Sequence, residues 1–147
     1  MKRTRLKVCA VVALALTPAA CSAYQHIRVI GGLEQPSVIM SESANSERPV
    51  RACVDYLTVF EPGRGKGLDS AVWRVRSADD RCVVLKSITY GQTPEGFVVD
   101  TPAQPLSADT VYEISGHGWT GGWMPRVPWI GGDRVRYSDG AWRSVAY

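Results

Sequence analysis

Hydrophobic and polar positions alternate along this chain in short segments, a spacing of two that predicts β-strands. The longest alternating segment, 50–60, would place Val54 and Tyr56 on one face and Leu57 and Val59 on the other. Further strands are predicted at 71–76, 82–90, 97–99, 110–115, 134–137 and 141–147, with a candidate edge strand at 25–30. The Asp-Gly pair at 139–140 predicts a hairpin between the last two strands.

The spacing of the strands predicts the fold class. No segment longer than about ten residues has a helical period, and turns rich in glycine and proline separate the alternating segments. We therefore expect an all-β chain with a single antiparallel β-sandwich, for which an immunoglobulin-like arrangement is one candidate. Trp73, expected to be a core anchor, lies between Cys53 and Cys82 in sequence, as in immunoglobulin domains, although the spacing is shorter.

The first 21 residues have the layout of a secretory signal. Four basic residues precede an apolar run at 8–16, and two small residues precede Cys21. The segment Pro18-Ala19-Ala20-Cys21 resembles a bacterial lipobox, with Pro18 at the position where the family usually has leucine. The resemblance implies cleavage before Cys21, a diacylglycerol on its sulfur and an acyl chain such as palmitate on its new amino group.

There are two alternatives to a lipoprotein signal. An ordinary secretory cut, for example after Ala23, would discard Cys21. A membrane-spanning anchor needs about 20 apolar residues, and the run at 8–20 is too short. Ser22 is not the aspartate associated with inner-membrane retention, so the resemblance implies an outer-membrane lipoprotein that faces the periplasm. The predicted organisation is a signal peptide at 1–20, a lipidated N-terminus with tether and candidate edge strand at 21–49, and the sandwich at 50–147.

Removal of the leader changes the charge of the protein. The whole chain has 17 Lys and Arg against 14 Asp and Glu, but four of the basic residues precede Cys21 and leave 13 against 14. The mature part therefore has a net charge of −1. This composition argues against a protein that binds the phosphate backbone of nucleic acids.

The cysteines point to an oxidising compartment. Cys9 would be lost with the leader, which leaves Cys53 and Cys82 as an even pair and a predicted disulfide. This bond would close a loop of about 30 residues and stabilise the fold by roughly 3–4 kcal/mol. A zinc site is the weaker alternative, because the chain lacks further cysteines or histidines at matching spacing. We expect no metal and no cofactor.

A second resemblance lies in the middle of the chain. Residues 90–97 and 102–106, followed by Tyr112, resemble small uncharacterised proteobacterial lipoproteins, and the similarity extends over 72–115. The shared positions are turn and core residues. The resemblance implies a compartment and a fold but no activity.

The sequence contains few candidates for catalytic residues. The chain has two histidines, His26 and His117, and none of the common hydrolase motifs. His117, between two glycines on a predicted loop, would be either a general base or metal ligand, or an ordinary loop residue. We expect His117 to be an ordinary loop residue, and we expect no catalytic residues in the chain. The adjacent Asp79 and Asp80 are expected to lie in a solvated turn.

Tryptophans are concentrated near the end of the chain, where four of the five follow residue 118. Because tryptophan and arginine are enriched at binding hot spots, the candidate partner-binding residues are Trp119, Trp123, Arg126 and Trp129. The alternative is that these tryptophans close one end of the sandwich. Three functional hypotheses follow: a non-enzymatic module that binds a protein partner, for example an immunity or inhibitor protein; a structural or glycan-binding envelope module; and, ranked last, an enzyme around His117.

Overall fold

The computed structural model describes residues 23–41, 43–79, 81–120 and 126–146. Within these ranges it has eleven strands, one short 3₁₀-helix (Gly67–Ser70) and no α-helix. The strands are β1 (Ala23–Tyr24), β2 (His26–Ile30), β3 (Ser37–Ser41), β4 (Ala52–Phe60), β5 (Ala71–Ser77), β6 (Val83–Leu85), β7 (Ser87–Thr89), β8 (Phe97–Thr101), β9 (Val111–Trp119), β10 (Pro128–Ser138) and β11 (Ala141–Ser144). In this part of the chain, no helix has the length and hydrophobicity to cross a membrane.

The strands form two sheets that pack face to face. The large sheet has the order β1-β10-β9-β4-β5-β8, with β11 beside β10 and β6 beside β4, and the small sheet has the order β2-β3-β7. Apolar side chains of both sheets form one core, which includes Ile27, Val38, Met40, Val54, Leu57, Trp73, Val75, Ile114 and Trp129. The predicted all-β sandwich is confirmed. Among the described residues, no strand covers the opposite face of the large sheet, which we call the outer face.

Strand β4 contains a bulge that is not among the predicted features. Val54 pairs with Gly118 and Tyr56 pairs with His117, so that Asp55 is an extra residue without a partner on β9. Because one extra residue reverses the alternation that follows it, Leu57 and Val59 enter the core and Tyr56 turns to the outer face. The prediction of one unbroken alternation from 50 to 60 is therefore wrong beyond Val54.

The small sheet is built largely from the segment that was expected to be a tether. Strand β2 lies at the edge of this sheet, as predicted for 25–30, but β3 was not predicted. Strand β3 pairs with both β2 and β7, and its Val38 and Met40 side chains are fully buried. The sandwich therefore begins at β1, and the part of 21–49 that the structure describes belongs to the domain.

The predicted strand at 82–90 is divided between the sheets. Strand β6 pairs with β4 in the large sheet, whereas β7 pairs with β3 in the small sheet. The predicted hairpin at the C-terminal end is present between β10 and β11. Asp139 and Gly140 both have positive φ angles, 52° and 76°, as a tight hairpin turn that follows the twist of the strands requires.

The predicted disulfide between Cys53 and Cys82 is confirmed, with the two Cα atoms 5.1 Å apart. Cys53 lies in β4 and Cys82 directly precedes β6. Strands β4 and β6 are neighbours in the large sheet. The bond therefore joins two parts of one sheet, whereas the immunoglobulin disulfide joins the two sheets. Trp73 is buried in the core against Tyr90, as expected of a core anchor, with ring centroids 4.9 Å apart.

Candidate functional site

A row of aromatic and apolar side chains crosses the outer face of the large sheet. Tyr24, Ile130, His117 and Tyr56 are register partners on the neighbouring strands β1, β10, β9 and β4. Directly paired residues point to the same side of a sheet, which brings their side chains together. We call these four residues the outer row.

The rings at the centre of the outer row are stacked. The rings of Tyr56 and His117 are nearly parallel, with an interplanar angle of 10° and centroids 5.3 Å apart. The guanidinium carbon of Arg74, on the other neighbouring strand, lies 5.1 Å from the centroid of the Tyr56 ring. Because β5 and β9 flank β4 on opposite sides, both faces of the Tyr56 ring are covered by protein groups.

Two acidic residues hold the ends of this stack. Asp55 Oδ2 lies 3.3 Å from His117 Nδ1, and both side chains are partly exposed. Since an ionised carboxylate can only accept a hydrogen bond, the geometry assigns the proton to Nδ1 and leaves Nε2 directed away from Asp55. At the other end, Asp100 bridges two arginines, with Oδ2 3.2 Å from Arg74 Nε and Oδ1 3.0 Å from Arg76 Nε.

Trp119 extends the site beyond His117. It is partly buried on the outer face, and its ring is edge-on to that of His117, with centroids 6.0 Å apart. Among the described residues, neither the Trp119 indole N–H nor the Tyr56 hydroxyl has a hydrogen-bond partner. Within the described part of the chain, these two donors at the tips of positioned rings are therefore available to a partner.

The side chains around the Asp55–His117 pair bear on the hypothesis of an enzyme. Within the described ranges, no serine, threonine or cysteine side chain makes a hydrogen bond to His117. The same ranges contain no group of three or more histidine, cysteine, aspartate or glutamate side chains that could hold a metal ion. His117 also lies inside β9 and not on the predicted loop. What the arrangement offers is a positioned hydrogen-bonding surface.

The four predicted partner-binding residues have different environments. Trp119 belongs to the outer face, and Arg126 is exposed just before β10. Trp129 is only 2% exposed, and its Nε1 donates a hydrogen bond to the Cys53 carbonyl oxygen at 3.0 Å. A buried indole cannot contact a partner, so the structure places Trp129 in the core. Trp123 lies outside the described residues.

The residues that sequence reasoning missed are Asp55, Tyr56 and Arg74. One signal was present in the sequence. The aliphatic residues of β4 stand at even-numbered positions up to Val54 and at odd-numbered positions from Leu57 onward. Such a change predicts a bulge at the two residues between them, and bulges often redirect side chains at functional sites. The pairing of Tyr56 with His117 had no signal in the sequence, because it depends on the register of two distant strands.

Residues 90–97 and 102–106 meet around Tyr90. The Tyr90 hydroxyl donates to the carbonyl oxygen of Gln104 at 2.7 Å, with the Val72 carbonyl at 3.3 Å. Burial raises the pKa of Tyr90 to about 12, although the Gln104 hydrogen bond opposes this shift. Gly91 and Gly96 have positive φ angles. These residues shape turns and the core, as expected.

The remaining acidic candidates agree with a solvated turn. Asp79 is exposed and forms an ion pair with Arg81 at 3.1 Å, whereas Asp80 lies outside the described residues.

No protein-family model, curated protein or solved structure matches this chain.

Proposed function

We propose that this protein is a cell-envelope lipoprotein, anchored through Cys21 to the outer membrane and facing the periplasm, that binds a protein partner and catalyses no reaction. The observation that carries the proposal is the stack of Arg74, Tyr56 and His117, with Trp119 beside it, on a sheet face that none of the described strands covers. An immunity or inhibitor protein is one specific form of this proposal.

The composition and the order of the site both support protein recognition. Tryptophan, tyrosine and arginine dominate the energetic centres of protein interfaces. The stack and the Asp100 bridge already hold Tyr56 and Arg74 in place, so that binding would cost little side-chain entropy. The free donors of Tyr56 and Trp119 favour a partner surface that presents carboxylate or carbonyl oxygens.

The same geometry argues against a sugar platform at Tyr56. A tyrosine that stacks on a sugar ring must present one open face, and both faces of Tyr56 are covered by Arg74 and His117. The structural or glycan-binding module therefore remains the second hypothesis, with less support from the site.

Site-specific photo-crosslinking in cells tests the proposal. A photoreactive residue would replace Ser115, which is partly exposed next to His117 on β9, and in a control would replace Leu68, which is 59% exposed in the 3₁₀-helix. We expect one protein band with the Ser115 probe and none with the Leu68 probe. Binding of the identified protein to the purified domain should then weaken by about tenfold or more in Trp119→Ala, with Leu68→Ala as the matched control.

Two results would contradict the proposal. Equal crosslinks from Ser115 and Leu68 would show that the outer face is not selective. Retention of the cell-wall polymer by the purified domain, lost in Trp119→Ala while no protein is crosslinked, would favour the glycan-binding module instead.

A further inference from the structure

The lipid anchor proposed above would attach very close to the folded domain. Strand β1 begins at Ala23, only two residues after Cys21. Consecutive Cα atoms are 3.8 Å apart, so the Cα of Cys21 lies at most about 8 Å from that of Ala23. The expected tether is thus replaced by strand, and the corner of the large sheet that contains β1 must lie near the membrane surface.

This corner carries the two most exposed side chains of the outer row. Tyr24 is 61% exposed and its register partner Ile130 is 53% exposed. The Tyr24 hydroxyl donates to the Gly132 carbonyl oxygen at 3.1 Å, which holds the ring against β10. An aromatic ring and a branched aliphatic chain side by side suit the boundary between lipid headgroups and acyl chains.

Two arginines for which the described residues provide no acidic partner lie at the same end of the sheet. Arg51 precedes β4 and lines a concavity together with Gln25 and Trp119, and Arg126 lies two residues before β10. Both arginines are exposed, and neither forms an ion pair within the part of the chain that the structure describes. Each basic side chain near an anionic bilayer strengthens the attraction to it.

We infer that Tyr24, Ile130, Arg51 and Arg126 form a surface that rests on an anionic phospholipid bilayer and fixes the orientation of the anchored domain. The acyl chains supply the attachment, and the corner supplies the second contact that prevents free rotation about the anchor. The inference rests on the proposed lipid anchor and adds to it a defined contact between protein and lipid.

The orientation has a consequence for the binding site. Four strand spacings separate β1 from β5, which is about 19 Å at the usual distance between neighbouring strands. With β1 at the membrane, Arg74 and Arg76 face the periplasm and remain accessible to a partner. The two ends of the outer face would therefore have different contacts.

Spin labels on the acylated protein test this contact. The mature protein would be isolated from membranes, its mass measured, and the protein reconstituted into vesicles of phosphatidylethanolamine and phosphatidylglycerol. One variant carries the label at Ile130→Cys and the control carries it at Leu68→Cys, a site of similar exposure. We expect a water-soluble nickel complex to reach the Ile130 label at least about threefold less often than the Leu68 label, because the surface is immersed in the headgroup region.

The charge contribution is tested in the same preparation. Arg51→Gln/Arg126→Gln, or vesicles of phosphatidylcholine alone, should lower the ratio of shielded to accessible Ile130 label by about tenfold or more, because the attraction between arginine and anionic lipid is lost. If the shielding persists unchanged, the arginines do not contact lipid and that part of the inference is overturned.

The mass and the labels separate the two proposals. A mature protein without acyl groups on Cys21 would overturn the lipid anchor, and the membrane contact with it. Acylated protein whose Ile130 and Leu68 labels are equally accessible would overturn the contact alone and leave the anchor intact.

Discussion

The indole of Trp129 lies against Gly118, its register partner on β9, and donates a hydrogen bond to the Cys53 carbonyl oxygen on the next strand. A side chain on Gly118 would occupy the space that the indole fills. A Cβ atom added to Gly116, two residues earlier, would lie 3.4 Å from the same indole and 2.9 Å from Ile27. The glycines that flank His117 in sequence therefore make room in the core and do not form a loop.

Gly118→Ala should destabilise the protein by about 1–3 kcal/mol, because the added methyl carbon would lie 2.7 Å from Trp129 Nε1 and would overlap the Cys53 carbonyl oxygen. Urea unfolding measures the loss. Gly32→Ala is the matched control, since no atom lies within 4 Å of the methyl position at Gly32. Equal unfolding midpoints for the two variants would contradict the packing described for Trp129.

Loss of the disulfide should have a larger effect. Replacement of Cys53 and Cys82 by alanine releases a crosslink between residues separated by 29 positions, and the entropy gained by the unfolded chain predicts a loss of roughly 3–4 kcal/mol. The wild-type protein, unfolded in urea with and without reductant, provides the comparison. An unfolding midpoint that does not respond to reductant or to the substitutions would contradict the prediction.

The hydroxyl of Tyr90 is expected to stabilise the segment that follows β8. Tyr90→Phe removes the hydrogen bond to the Gln104 carbonyl oxygen and should cost about 1 kcal/mol. Tyr56→Phe is the control, because none of the described residues makes a hydrogen bond to the Tyr56 hydroxyl. If Tyr90→Phe is no less stable than Tyr56→Phe, the hydrogen bond to Gln104 does not contribute to stability.

Tyr90 should also make the stability depend on alkaline pH. Burial raises its pKa from 10.0 to about 12 in the folded protein, so the folded state retains a proton that the unfolded state loses. The contribution is fully present below pH 10 and is lost as the pH rises through 12. The free energy of unfolding of wild type minus that of Tyr90→Phe should therefore fall over this range, and a constant difference would contradict the shift.

Tyr56 and His117 should be energetically coupled through their stacked rings. In a double-mutant cycle with Tyr56→Leu and His117→Leu, the coupling free energy should be about 0.5–1 kcal/mol. A second cycle that combines Tyr56→Leu with Leu68→Ala should be additive, since Leu68 lies in the 3₁₀-helix between β4 and β5 and its side chain is 59% exposed. Additive behaviour in both cycles would show that the rings are merely adjacent.

Particular elements show how far the sequence could lead. Asp139-Gly140 predicted the hairpin and the two mature cysteines predicted the disulfide, because each signal depends only on local chemistry or on counting. Strand β3 was missed because Ser, Glu and Asn residues surround its short apolar core of Val38, Ile39 and Met40. There the pairing with β2 and β7 overrides the polar context.

The candidate site was less predictable than the fold class. Trp119 and Trp129 belong to the same cluster in sequence, yet one lies on the outer face and the other in the core. The two environments are distinguished only by the alternation of side chains along β9 and β10 and by the register between these strands. Arg74, Tyr56 and His117 come from three strands, and a single bulge at Asp55 decides that they meet.

The pairing of β1 with β10 sets the order in which this fold can be completed. Tyr24 and its bonded Gly132 are 108 positions apart, so this edge of the large sheet closes only when two distant segments of the chain meet. Such distant contacts slow folding. Until they form, β1 and the facing edge of β10 have unpaired backbone groups, and the folding chain is most prone to aggregation in that interval.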